Sequence, residues 1–170
     1  MMIFTYALCL LRGNRRGSAS IEFALTLLPF FLLFAGTLEV GWYMTKVAIL
    51  QNAVETSGRL IRTGQITTLS PFLDSISQHS FGIINVNNLS VNASAYNSFS
   101  AVPSPLPSMF NNSGAPINQN FQTGSGNQVV VLVVGYRYQF STPLIGTLVD
   151  ASGRGFWTFT SAMVIRNEPF

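Results

Sequence analysis

The chain has 170 residues, of which 48% are hydrophobic and only 9% charged, where an ordinary soluble domain carries about 25% charge. That composition suits one modest domain plus a membrane segment. The formal charge of +3 is carried by Arg12, Arg15 and Arg16, and from Ser18 onward six basic residues meet six acidic ones, which excludes a basic nucleic-acid-binding surface.

Residues 2–11 form a short apolar run, and the basic tip Arg12-Gly13-Asn14-Arg15-Arg16-Gly17 follows it. A secretory signal peptide has the opposite order, and no small-residue cleavage pattern follows here. The single cysteine, Cys9, is preceded by Leu8 rather than a small residue, which argues against a lipoprotein. It also leaves the rest of the chain without an intramolecular disulfide. Arginines ahead of a long apolar run hold that end on the cytoplasmic side, so Arg12, Arg15 and Arg16 read as topology anchors and the remainder as exported.

A long helix is expected over residues 18–64. Ser20-Ile21-Glu22 offers a capping start, with Glu22 in the first turn, where the helix dipole favours an anion. Residues 23–38 carry no charge. Pro29 falls inside the run, as membrane helices tolerate. Glu39 reads as an interfacial acid facing headgroup water, Trp42 and Tyr43 as an interfacial aromatic belt, and Lys46 as the return to water. The span over residues 21–43 is about 23 residues, enough to cross roughly 30 Å of hydrocarbon. Val47, Leu50, Val54, Gly58 and Ile61 then recur at helical spacing, opposite Gln51, Asn52, Glu55, Arg59 and Arg62. Glu55 and Arg59 make a favourable i,i+4 pair, and Gly64 suits the C-cap. The second half of the helix is therefore amphipathic and docks on something.

The exported part, residues 65–170, begins with a short helix started by Ser70-Pro71, with Phe72, Leu73 and Ile76 on its apolar side, ending near His79. Residues 89–96 alternate like a strand. Residues 97–126 are rich in Ser, Asn, Pro and Gly and read as a long exposed loop. Residues 129–134 are apolar on both faces, as in a central strand. Tyr136, Tyr138 and Phe140 then share one face. A short helix is expected from Thr142-Pro143, with Leu144, Ile145, Leu148 and Val149 on one side, stopping near Gly153. A last strand over residues 156–166 puts Trp157, Phe159, Met163 and Ile165 together. The expected fold is α+β: a long N-terminal transmembrane helix whose amphipathic half packs on a small antiparallel sheet.

Residues carrying chemistry are scarce. His79 has only Asp74 nearby in sequence, no Cys/His cluster has metal-ligand spacing, and no nucleophile elbow or Walker loop is present. Gly153-Arg154-Gly155 is a lone Gly-x-Gly, and the sequons at Asn88, Asn92 and Asn111 read as chance. The expectation is a non-enzymatic chain with no cofactor, no metal, no nucleic acid and no small-molecule substrate.

The glycine after a basic tip, the glutamate five residues beyond it, the aromatic next to it and the apolar helix that turns amphipathic resemble a type IV prepilin-class segment. More narrowly, Ala19-Ser20-Ile21-Glu22-Phe23-Ala24-Leu25, with the stretch from Ala53 through Arg59 to Gly64, is similar to the TadE-like family of Tad/Flp pilus assembly proteins. The ending Arg166-Asn167-Glu168-Pro169 also resembles how such chains finish. The resemblance implies that residues 1–17 are a leader removed after Gly17 by a prepilin peptidase, leaving Ser18 as the new N-terminus. It implies as partners the membrane, the peptidase, other pilin-like subunits and the inner-membrane assembly platform, with the domain in the periplasm. Within such an assembly the Ser18 ammonium of one subunit would pair with Glu22 of a neighbour, relieving two desolvation costs and setting register, with Phe23 beside it. The alternative is an uncleaved, membrane-tethered periplasmic scaffold or binding module.

Overall fold

The computed structural model describes residues 18–142, 145–147, 150 and 154–169. The leader residues 1–17 lie outside the described residues, with Gly17, Arg12, Arg15 and Arg16 among them. So do Pro143, Leu144, Leu148, Val149 and Gly153 of the expected short helix, of which residues 145–147 are helical. The chain divides into two compact units, with the division between Leu38 and Glu39.

Helix α1 runs Ser18–Arg62 and passes through Pro29 without ending. Up to Leu38 it is apolar on every side: Ile21, Phe23, Leu25, Leu28, Phe31 and Leu33 are each more than half exposed. At 100° per residue these positions cover the whole circumference, and a helix apolar all round belongs in a membrane or inside a larger assembly. Thr26 and Thr37 satisfy their hydroxyls by donating to the carbonyls of Glu22 and Leu33 at 3.0 and 2.8 Å, which removes the cost of placing them among apolar neighbours. The helix is long and apolar enough to cross a membrane.

In the second unit α1 becomes amphipathic, as its spacing predicts. Leu50, Ala53, Val54 and Ile61 are fully buried, while Glu55 and Arg59 pair on the outer side at 2.9 Å. Gly64 adopts φ +72° and closes the helix. Its N–H donates to Ile61 and that of Gln65 to Leu60, the two bonds of a Schellman cap. Helix α2, Leu69–His79, starts from Thr68 rather than Ser70, so Pro71 lies in the first turn, where its missing N–H costs nothing. Phe72, Ser75 and Ile76 face inward, and the Ser75 and Ser57 hydroxyls, 2.8 Å apart and buried, pin α2 to α1.

Four strands follow: β1 Leu89–Tyr96, β2 Asn120–Phe121, β3 Val129–Gln139 and β4 Phe156–Arg166. They lie in the order β2-β1-β3-β4. The pairs β1–β3 and β3–β4 are antiparallel. The two-residue β2 runs parallel to β1, so the sheet is mixed rather than wholly antiparallel. On the inner face Val91, Ala93, Val130, Leu132, Val134 and Ile165 pack with the buried side of α1 and α2.

Residues 97–126 are mostly exposed and irregular, as expected, but part of the segment also covers the outer face of β3. Met109 is buried against Val131 and Val133, with Tyr96, Val102 and Phe110 packed around it. Met109 crosses β3 above Gly135, where an added Cβ would stand 2.7 Å from the Met109 Cβ. This explains why residues 129–134 are apolar on both faces. The outer side of β1 is polar and is stitched down too: the Asn92 amide donates to the Asn118 carbonyl. The chain then closes on itself. Asn167, buried, donates from Nδ2 to the carbonyls of Thr123 and Ser125 at 2.7 and 3.1 Å. Glu168 donates its N–H to the Arg62 carbonyl and pairs with the Arg62 guanidinium at 3.0 Å.

Candidate functional site

The segment of α1 without charge is bounded by two carboxylates, Glu22 and Glu39, and they differ in surroundings. At the head, Ser18, Ala19 and Ser20 are already helical. Ser20 is therefore not a cap, and Glu22 stands in the second turn rather than the first, where the dipole's pull has faded. Ser18 and Glu22 are four residues apart in α1. Glu22 and Phe23 are exposed there.

At the neck, Glu39 does not face headgroup water. It is 6% exposed. Its Oε1 accepts a hydrogen bond from the Tyr138 hydroxyl and another from the Ser141 N–H at 2.9 Å, and Oε2 accepts from Thr142 Oγ1 at 3.3 Å. Burial, then the hydrogen bond and the charge of Glu39, hold the Tyr138 phenol well above the usual tyrosine range. It therefore remains a donor to the carboxylate at neutral pH.

One turn on, Tyr43 is packed against the sheet. Its ring makes edge contacts with Tyr138 at 5.4 Å, Trp157 at 5.1 Å and Phe159 at 5.4 Å. Another turn on, the Lys46 ammonium lies over the rings of Tyr138, Tyr136 and Trp42 at 5.3, 5.8 and 5.7 Å, in cation–π range. Glu39, Tyr43, Lys46 and Leu50 continue the docking stripe backward at spacings of four, three and four. The sheet-bearing unit thus takes hold of α1 at Glu39, two turns ahead of Val47. Sequence reasoning missed this clamp because its partners lie about a hundred residues downstream. The available signal was the same helical spacing, extended past the supposed membrane boundary.

A carboxylate with three donors and little water is suited to holding structure, not to acid–base turnover. The remaining chemical candidates are likewise occupied locally. His79 Nδ1 lies 2.8 Å from the Ser75 carbonyl in its own helix. Asp150 Oδ2 accepts from the N–H groups of Arg154 and Gly155 at 2.7 and 2.9 Å, so these two amides already serve a carboxylate of the chain. Among the described residues no group of three His, Cys, Asp or Glu side chains is placed to hold a metal.

Residues 17–59, about a quarter of the chain, match the family described as TadE-like protein. The match opens on Gly17 and closes on Arg59, so it takes in both carboxylates of the apolar segment and the docking stripe of α1. Comparisons with curated proteins and with solved structures find no match.

Proposed function

We propose that this chain is a pilin-like subunit of a Tad/Flp-type pilus assembly or secretion machine, with a structural and not an enzymatic role. The observation that carries the reading is the coincidence of the family match with the physical character of the helix. The matched segment begins at the glycine of the proposed cleavage site and runs through a helix whose apolar side chains are exposed. An exposed apolar helix in the inner membrane is an assembly element as much as an anchor.

In this reading prepilin peptidase cuts between Gly17 and Ser18, and Arg12, Arg15 and Arg16 hold the leader in the cytoplasm. The Ser18 ammonium of one subunit meets Glu22 of the next, beside Phe23, and fixes axial register. The second-turn position of Glu22 supports this over a capping role. Residues 39–170 stand in the periplasm, where they meet other pilin-like subunits and the assembly platform. With the neck held by the domain, residues 18–38 remain for lipid, about 31 Å at 1.5 Å per residue.

The test is the intact mass and N-terminal sequence of the protein from its native membrane, with and without the peptidase. A chain starting at Ser18 only when the peptidase is present is the expected result. A chain that retains its leader in both strains refutes the processed-subunit reading and leaves the tethered scaffold.

A further inference from the structure

The two edges of the sheet are unlike. β2 closes one edge with two residues. β4 forms the other with eleven, in unbroken register with β3 and without a bulge. Among the described residues no segment pairs with its outer side. Natural edge strands are blunted by lysine, proline, bulges or brevity. Residues 156–165 contain no charge and no proline, and Thr158, Thr160, Ala162 and Val164 are exposed in alternation. Such an edge presents a row of backbone donors and acceptors ready for a further strand.

Two grooves flank the same stretch, one on each face. On the helix side a groove of about 410 Å³ lies between Gln51, Val54 and Glu55 of α1 and Ser161 and Met163 of β4. On the outer side a groove of about 300 Å³ lies between Leu106, Phe110 and Val133 and the exposed Thr158, Thr160 and Ala162. Side chains of an added strand alternate between faces, so they would enter these two grooves in turn. That is the arrangement by which strand addition combines backbone affinity with side-chain selectivity.

Charge decides the occupant. At the C-terminal end of β4 a larger groove, about 740 Å³, brings together Arg59, Arg62 and Arg166 with Glu55 and Glu168. Arg59 is paired with Glu55 and Arg62 with Glu168, which leaves the positive charge of Arg166. A second copy of β4 cannot answer it, since residues 156–165 hold no carboxylate. We propose that β4 is a docking edge for an extended, otherwise uncharged segment of a different protein, which adds as a fifth strand and places a carboxylate against Arg166. The surface belongs to the folded domain and stands whether or not the leader is removed.

The test uses the full chain in detergent micelles and an eight-residue peptide of alternating valine and threonine carrying one terminal aspartate. Controls carry proline at the centre or lysine in place of aspartate. Hydrogen exchange read by mass spectrometry should show the outward-pointing amides of residues 158–164 slowed at least tenfold by the aspartate peptide and not by the proline peptide. Arg166→Glu, an exposed change checked for an unaltered melting temperature, should shift the preference about tenfold toward the lysine peptide. No slowing at millimolar peptide, or equal slowing by the proline control, overturns the proposal. Slowing that rises with protein concentration in the absence of peptide also overturns it, because a second copy then fills the edge.

Discussion

Removing the clamp at the neck of α1 gives the most decisive measurement. Tyr138→Phe deletes one hydroxyl that donates to a carboxylate, and a hydrogen bond to a charged group contributes about 1.5–3 kcal/mol. Glu39→Ala removes the acceptor of three donors at once and leaves the buried Tyr138 hydroxyl and the Ser141 N–H in want of partners. Each stranded group costs about 1–3 kcal/mol, so the total should reach about 3–5 kcal/mol, a large part of a domain's usual 5–15 kcal/mol. At roughly 3–5 °C per kcal/mol for a unit of this size, Tyr138→Phe should melt about 5–15 °C below the wild type and Glu39→Ala further still. The assay is a double-mutant cycle on the full chain in micelles. Unfolding is followed by near-ultraviolet circular dichroism, which the Tyr43, Trp157 and Phe159 contacts make sensitive to the neck. The two losses should be strongly non-additive, with a coupling of about 1–3 kcal/mol. Additive losses, or a Glu39→Ala chain that melts like the wild type, would show that the carboxylate holds nothing.

Because the folded-state pKa of Tyr138 is raised above the ordinary 10.0, the folded chain keeps a proton that the unfolded chain loses. Its contribution is complete below about pH 10 and declines as pH rises beyond that, so denaturant midpoints taken from about pH 8 to about pH 11 should fall less steeply in Tyr138→Phe than in the wild type. Asn167→Ala gives up the two bonds to Thr123 and Ser125 and should cost about 1–3 kcal/mol, read as a lower urea midpoint with β4 still paired by hydrogen exchange. Gly135→Val places a branched side chain where even a Cβ meets Met109 and Phe110 at 2.7 Å. Overpacking of this kind costs about 1–3 kcal/mol, read as a lower urea midpoint than the wild type.

Local pattern carried the reading of the elements. The stripe Leu50, Val54, Gly58, Ile61, the cap at Gly64 and the three long strands are written in short-range periodicity and turn chemistry, and α1 docks on the sheet as that stripe implies. What failed depended on distant partners. Residues 97–126 have the composition of a loop, and they follow no regular element over most of their length. Nothing in that composition says that Met109 fills the outer face of β3. The double-faced apolarity of residues 129–134 was the clue that some cover exists, without naming it. Lys46 and Tyr43 were placed by the statistics of membrane interfaces, which describe an isolated helix. Their true neighbours, Tyr138 and Trp157, enter only once β3 and β4 are folded against α1.

The two carboxylates of the apolar helix allow folding and assembly to be separated in one chain. Glu39 is bound into the unit that begins with it. Its loss should therefore lower the melting temperature first, with any assembly defect following from an unsteady domain. Glu22 is an exposed residue of the other unit, so Glu22→Ala should leave the unfolding of residues 39–170 where it was. If Glu22 sets register between subunits, Glu22→Ala abolishes assembly in the native membrane while the purified chain melts like the wild type. Glu22→Asp keeps the charge but shortens its reach, and should recover assembly only in part. If both variants assemble normally, the Ser18–Glu22 pairing is wrong even for a processed chain, and register must come from the apolar surface of residues 18–38. A loss of assembly in Glu39→Ala alone would point to the domain, not the helix head, as the part that neighbouring subunits recognise.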